Sequence, residues 1–172
     1  MGEAVRRPPA LAVVGWSGSG KTTLLTRLVP ELRQRGLRVG VVKHSSDAHP
    51  LHREGSDTAR YAESGAAFVA FANPAGVQLT FPEPPAQVLA LLERFAGTVD
   101  LVLVEGWKQG PLPKLEVWRE GLGPLLAAER RDVLAVVGEA EVPEGMTRFG
   151  PEEVQGIAAF IQQCLRDGVL SR

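Results

Sequence analysis

The chain predicts an α/β fold: a mostly parallel central sheet flanked by helices, with a β-hairpin insertion, in one domain spanning residues 1–172. Three observations predict it. The apolar runs "ALAVVG", "LRVGVV" and "VDLVLVEG" alternate with segments of helical length and period, as strands joined by crossover helices do. The runs are continuous rather than alternating, which is the mark of strands covered on both faces. Between them, "AAFVAFA" and "VQLTF" flank the turn sequence "NPAG", and two β-prone runs around such a turn read as a hairpin.

Each element has its own reason. Residues 10–15 form the first strand. "KTTLLTRLVPELRQRG" spaces Leu24, Leu25, Leu28 and Leu32 along one helical face, with Gly36 as its stop and Pro30 as an expected kink. "LRVGVVKH" predicts a second strand buried on both faces. The thirteen residues "SSDAHPLHREGSD" lack any period and predict a functional loop. "TARYAESG" predicts a short helix ended by Gly65, "PPAQVLALLERFAG" an amphipathic helix, and "VDLVLVEG" a buried strand ending in an acid. "PKLEVWR" and "DVLAVVG" follow as strands, and a helix from Pro151 to Arg166 closes the chain. In that helix Ile157, Phe160, Ile161, Cys164 and Leu165 form a core-facing stripe, so the single cysteine reads as core.

Composition narrows the function. Apolar residues at 44% and charged residues at 23% match an ordinary globular protein. A net charge of −1 gives no global field to draw nucleic acid or an anionic membrane. No stretch reaches the length of a membrane span, and a lone cysteine suits a reducing compartment, so the expected location is cytoplasmic.

Chemistry concentrates at "GWSGSGKTTLL". Gly15, Gly20, Lys21 and Thr22 match G-x-x-x-x-G-K-[ST] between a buried strand and a helix, which is the phosphate-binding loop of P-loop NTPases. Gly15, Gly18 and Gly20 let backbone N–H groups turn towards an anion, and the helix adds unpaired N–H groups and its positive end. Across Trp16, Ser17, Ser19 and Thr23 the loop surrounds the same anion. Lys21 is placed for the β- and γ-phosphates and the Thr22 hydroxyl for Mg²⁺. Trp16 either covers the nucleotide or packs on a neighbouring loop. A carboxylate is needed beside the metal, and ligands of parallel sheets sit outside the carboxyl ends of the strands; Glu105 is at that edge, whereas Asp100 reads as a strand-entry residue.

Four lysines stand against fifteen arginines, and Lys21, Lys43, Lys108 and Lys114 all fall beside predicted strand ends or loops, so several are expected to line one anionic site. His44, His49 and His52 lack the spacing of a zinc site, and Asp47 and Asp57 are better placed to orient water near Mg²⁺.

The combination of "GWSGSGKTTLL", "VVKH", "EGSDTARYAESGA", "LVLVEGWK" and "PKLEVWR", in this order from about Leu11 to Arg119, resembles the molybdopterin-guanine dinucleotide biosynthesis protein B family. The resemblance implies a homodimer that binds GTP with Mg²⁺, hydrolyses it weakly at most, and works with the molybdenum cofactor guanylyltransferase, with molybdopterin as a further ligand. It implies that Lys43, His44, Gly55, Asp57, Gly106 and Lys108 occupy motif positions, that Lys21 and Asp57 bear on hydrolysis, and that Thr22 and Glu105 hold the metal. Two positions depart from the family pattern: His52 stands where an Asp is usual, and Ser56 where a Lys is usual. Guanine preference is implied by the resemblance alone, because the N-K-x-D element is absent. The competing reading is a small-molecule kinase using the same loop, with Arg53 and Arg60 available to a lid.

Overall fold

The computed structural model describes residues 7–45, 50–81 and 88–171. The chain divides into two compact units, one of residues 1–45 and 95–172, the other of residues 46–94.

The larger unit is built on six parallel strands: β1 (Ala10–Val14), β2 (Val39–Lys43), β5 (Leu101–Glu105), β6 (Lys114–Val117), β7 (Val133–Val137) and β8 (Thr147–Phe149). Their spatial order is β2-β5-β1-β6-β7-β8, and every pairing is parallel. The chain leaves β1 through helix α1 (Lys21–Gln34) towards β2 on one side, then crosses β1 between β5 and β6 to build the other side. That reversal makes the carboxyl end of β1 a topological switch point, where open α/β sheets bind ligands.

One sheet face is covered by α1 and α4 (Val154–Arg166). Leu24, Leu25, Leu28 and Leu32 of α1 and Ile157, Ala158, Ile161 and Cys164 of α4 pack with Leu11, Val13, Leu103, Leu115 and Val137. The predicted stripes are therefore the core. Helix α1 continues through Pro30, and Gly36, at φ 86°, ends it. Arg35 ties the two helices together by donating to Gln162 Oε1 and the Gln155 carbonyl at 3.1 Å each. On the opposite face the 3-10 turn Leu126–Ala128 covers Val133 and Val136.

Strand β2 differs from the expectation of burial on both faces. It lies at the sheet edge with a neighbour on one side only, so Val39, Gly40 and Val42 are half-buried and Val41 is 51% exposed. Strand β8 had no apolar run to announce it. Asp100 behaves as the strand-entry residue expected, accepting from the Arg38 backbone N–H at 2.7 Å and its guanidinium at 2.8 Å.

The smaller unit contains α2 (Asp57–Glu63), the antiparallel pair β3 (Val69–Asn73) and β4 (Gly76–Thr80), and α3 (Val88–Glu93). Asn73 Oδ1 accepts from the N–H groups of Ala75 and Gly76, which closes the predicted turn. Asp47 and His49 lie outside the described residues, as does the start of the amphipathic segment before α3. Among the described residues no helix is long and apolar enough to cross a membrane.

Candidate phosphate-binding site

The buried strand β1 ends at Val14, and the chain turns over Gly15–Gly20 into α1. A Cβ at Gly15 would lie 2.2 Å from the Val117 carbonyl oxygen at the end of the adjacent β6, so only glycine lets the loop pass there. Gly20, at φ 98°, takes the left-handed conformation at the cap of α1, and Ser19 N–H donates to the Trp16 carbonyl to close the bend. Lys21 folds back over this bend and donates to the carbonyls of Gly15 at 3.1 Å and Trp16 at 2.8 Å. Its ammonium is thereby held at the mouth of the loop, beside the first turn of the helix.

Thr22 and Glu105 meet. The Thr22 hydroxyl donates to Glu105 Oε1 at 2.9 Å, joining the start of α1 to the carboxyl end of β5. Sheet register brings Lys43 to the same place, since Glu105 pairs with Lys43 on one side and Val13 on the other. A hydroxyl and a carboxylate at this edge are hard oxygen donors of the kind that could hold Mg²⁺. No group of three His, Cys, Asp or Glu is assembled for a metal among the described residues.

The turn after β5 carries the other predicted residues. A Cβ at Gly106 would come within 2.7 Å of the His44 carbonyl, and Trp107 is held at φ 61°, a region a bulky residue rarely adopts. The Gly110 N–H donates to the Trp107 carbonyl at 2.9 Å, and the Trp107 ring, 5.9 Å from that of His44, occupies the space a Cβ at Gly110 would need. This strained turn delivers Lys108, whose ammonium sits 3.7 Å above the centre of the Trp16 ring.

Trp16 packs on a neighbouring loop, the second of its two expected roles. Its indole N–H donates to the Pro124 carbonyl at 2.8 Å, and its ring lies against Gly123. Sequence reasoning missed the segment 119–125 that receives it. That segment is fixed by Trp118, whose indole donates to the Gly123 carbonyl at 3.1 Å, and by Glu116, whose carboxylate accepts from Leu126 and Ala127 N–H at 2.8 Å each.

Electrostatics gather three lysines around the loop. Burial pushes the Lys21 ammonium below the ordinary lysine range, Glu105 pulls it back up, and Lys108 and Lys43 push it down again. Lys114, the fourth lysine, is not among them. It is fully buried and donates to the Gly110 and Leu112 carbonyls at 2.7 and 2.8 Å and to Asp132. Asp57 is the exposed first residue of α2, and Gly55, at φ 72°, lies in the turn before it; both belong to the smaller unit.

The family model of molybdopterin guanine dinucleotide synthesis protein B matches residues 10–139, a span that holds the loop, Glu105, Lys108 and the Glu116 segment. The chain belongs to this family. The molybdopterin-guanine dinucleotide biosynthesis adapter protein of Haemophilus influenzae is 38% identical over 159 residues, covering 91% of this chain and 89% of that protein. Its Escherichia coli namesake is 31% identical over 164 residues, covering 92% and 94%. A crystal structure titled molybdopterin-guanine biosynthesis protein B superposes with a TM-score of 0.67 at 34% identity, covering 91% of this chain and 99% of that one. The α/β fold with its mostly parallel sheet is thus that of the protein B family, a P-loop NTPase-like fold.

Proposed function

We propose that the chain is a GTP-binding adapter of molybdopterin guanine dinucleotide biosynthesis, working in the cytoplasm with the molybdenum cofactor guanylyltransferase. Family membership and the names of the H. influenzae and E. coli relatives support the pathway. The observation that carries nucleotide binding is the meeting of Lys21 and the Thr22–Glu105 pair around one glycine-lined bend.

In this reading the amides of residues 15–23 and the start of α1 bind the phosphates, and Lys21 neutralises the β- and γ-phosphates. Thr22 and Glu105 hold Mg²⁺, which supplies charge neutralisation at the phosphates when bound. Lys43 and Lys108 add positive charge at the rim, with His44 and Gly106 shaping the turn between them. Hydrolysis is slow in this reading, and the bound nucleotide serves chiefly to present a surface to the partner enzyme. Asp57 is assigned to positioning the attacking water. The chain acts as a homodimer, for which the exposed Val77 and Leu79 of the hairpin offer an apolar seam, and molybdopterin is a further ligand.

Calorimetric titration with GTP, GDP and ATP, with and without Mg²⁺, tests the reading. GTP should bind most tightly, Mg²⁺ should strengthen it, and Lys21→Ala should weaken it on the order of 100-fold while the fold persists. Lys108→Ala should cost about tenfold. Unchanged affinity in Lys21→Ala overturns nucleotide binding at this loop, and turnover at about 1–100 s⁻¹ with an acceptor would make the protein a kinase instead.

A further inference from the structure

The smaller unit contains a cavity that shares no residue with the glycine-rich loop before α1. It has a volume of about 200 Å³ and is lined by Leu51, His52, Arg53, Ser56 and Thr58 on one side and Val69, Phe71, Gln78 and Thr80 on the other.

The sequence builds this cavity in two steps. The Ser56 N–H donates to the Arg53 carbonyl, and Gly55 between them takes φ 72°, so the chain bends back before entering α2. The Ser56 hydroxyl then caps α2 by accepting from Ala59 N–H at 3.2 Å. Opposite, cross-strand register pairs Val69 with Thr80 and Phe71 with Gln78, placing these four on one face of the hairpin. The other face carries Ala70, Ala72, Val77 and Leu79. The polar positions of "VQLT" are therefore those that meet the cavity, while its apolar positions face away.

Two observations point to a ligand. His52 Nε2 is buried and has no hydrogen-bond partner among the described residues, and a buried polar atom in that condition calls for an explanation. A charged lining residue, Arg53, forms no ion pair among the described residues, and neither Glu54 nor Asp57 beside it lines the cavity. The Ser56 and Thr58 hydroxyls are 3.0 Å apart, and one donates to the other. What is left to a ligand is one guanidinium, one imidazole nitrogen, the Gln78 amide and the Thr80 hydroxyl, against a wall of Val69 and Phe71.

We propose that this cavity binds a small organic anion, with an oxyanion head on Arg53 and His52 and a planar or apolar body along Phe71. No acid is found among the described lining residues; the Arg53 guanidinium selects negative charge, and its planar fork matches the paired oxygens of phosphate or carboxylate. The volume exceeds that of an inorganic oxyanion, so the apolar wall contributes to selection.

The experiment uses the full chain carrying Lys21→Ala, which removes the ammonium of the phosphate loop, so its outcome does not depend on nucleotide binding. Phenyl phosphate, benzoate and inorganic phosphate are titrated while the histidine ring signals are followed by NMR, with His52→Asn assigning the His52 signal. The His52 signal should move saturably with phenyl phosphate or benzoate, whichever head group fits, and about tenfold more weakly with inorganic phosphate. Arg53→Gln, at an exposed position with no ion pair among the described residues, should keep the fold and weaken the response about tenfold. A His52 signal that does not move with either organic anion, or that moves equally in Arg53→Gln, overturns the proposal.

Discussion

At the residue scale, the glycine-rich loop before α1 depends on contacts that admit no substitute. Gly15 passes against the Val117 carbonyl so closely that a methyl group would sit 2.2 Å from its oxygen. The β6 backbone cannot yield and the Ser19 hydroxyl crowds the position at 2.8 Å, so Gly15→Ala should lower stability by at least about 2 kcal/mol in denaturant titration and displace the loop from β6. The cost should appear without any ligand present, which separates it from loss of Lys21. Lys21 itself is held by two loop carbonyls rather than by a carboxylate, and such partners fix its place without cancelling its charge. Trp16 works through position too: its indole hydrogen bond to Pro124 and the Lys108 ammonium on its ring join three separate segments of chain.

At the element scale, β6 carries most of what the sequence concealed. "KLEV" alternates polar and apolar residues, a pattern that strands with one solvent-facing side often show. Lys114 and Glu116 are instead fully buried, because β6 lies between β1 and β7 and is covered above and below. Burial raises the Glu116 carboxyl above its ordinary range, and the N–H groups of Leu126 and Ala127 pull it back down. Glu116→Gln presents an amide N–H₂ to one of two donors that now face a carboxylate. The exchange should cost about 1–3 kcal/mol and raise hydrogen exchange at the Leu126 and Ala127 amides. If those amides stay as protected as before, Glu116 does not hold the segment that anchors Trp16. Helices α1 and α4 were legible residue by residue, since an apolar stripe at helical spacing has only one way to be buried.

At the scale of the whole molecule, acid stability is set by carboxylates at the ends of strands. Arg130 above all, with Lys114, brings Asp132 from 3.8 down to about 2, and Arg38 does the same for Asp100. A carboxyl depressed in the folded state adds stability that is complete above about pH 4 and is lost as the pH falls towards 2. Circular dichroism against pH should therefore show unfolding steepen in that window, and Asp132→Asn should flatten it. Asp132→Ala should also cost about 2–3 kcal/mol at pH 7, since the buried Lys114 keeps only its two carbonyl partners. The smaller unit was foreshadowed unevenly. Its hairpin and α2 followed from turn and cap residues, whereas the cavity beside His52 depends on which hairpin face meets the turn at Gly55, and local patterning does not fix that.

The sequence alone determined the strand–loop–helix around Gly15–Thr23, the core stripes of α1 and α4, and the acid at the end of β5, because each is written in neighbouring residues whose spacing repeats the geometry of one element. Only the tertiary structure decided that β2 is an edge, that Lys114 is a buried tie rather than a site lysine, and that Trp16 leans on Pro124. Those outcomes depend on which strands become neighbours, and strand order is set by packing across the sheet between residues far apart in the chain.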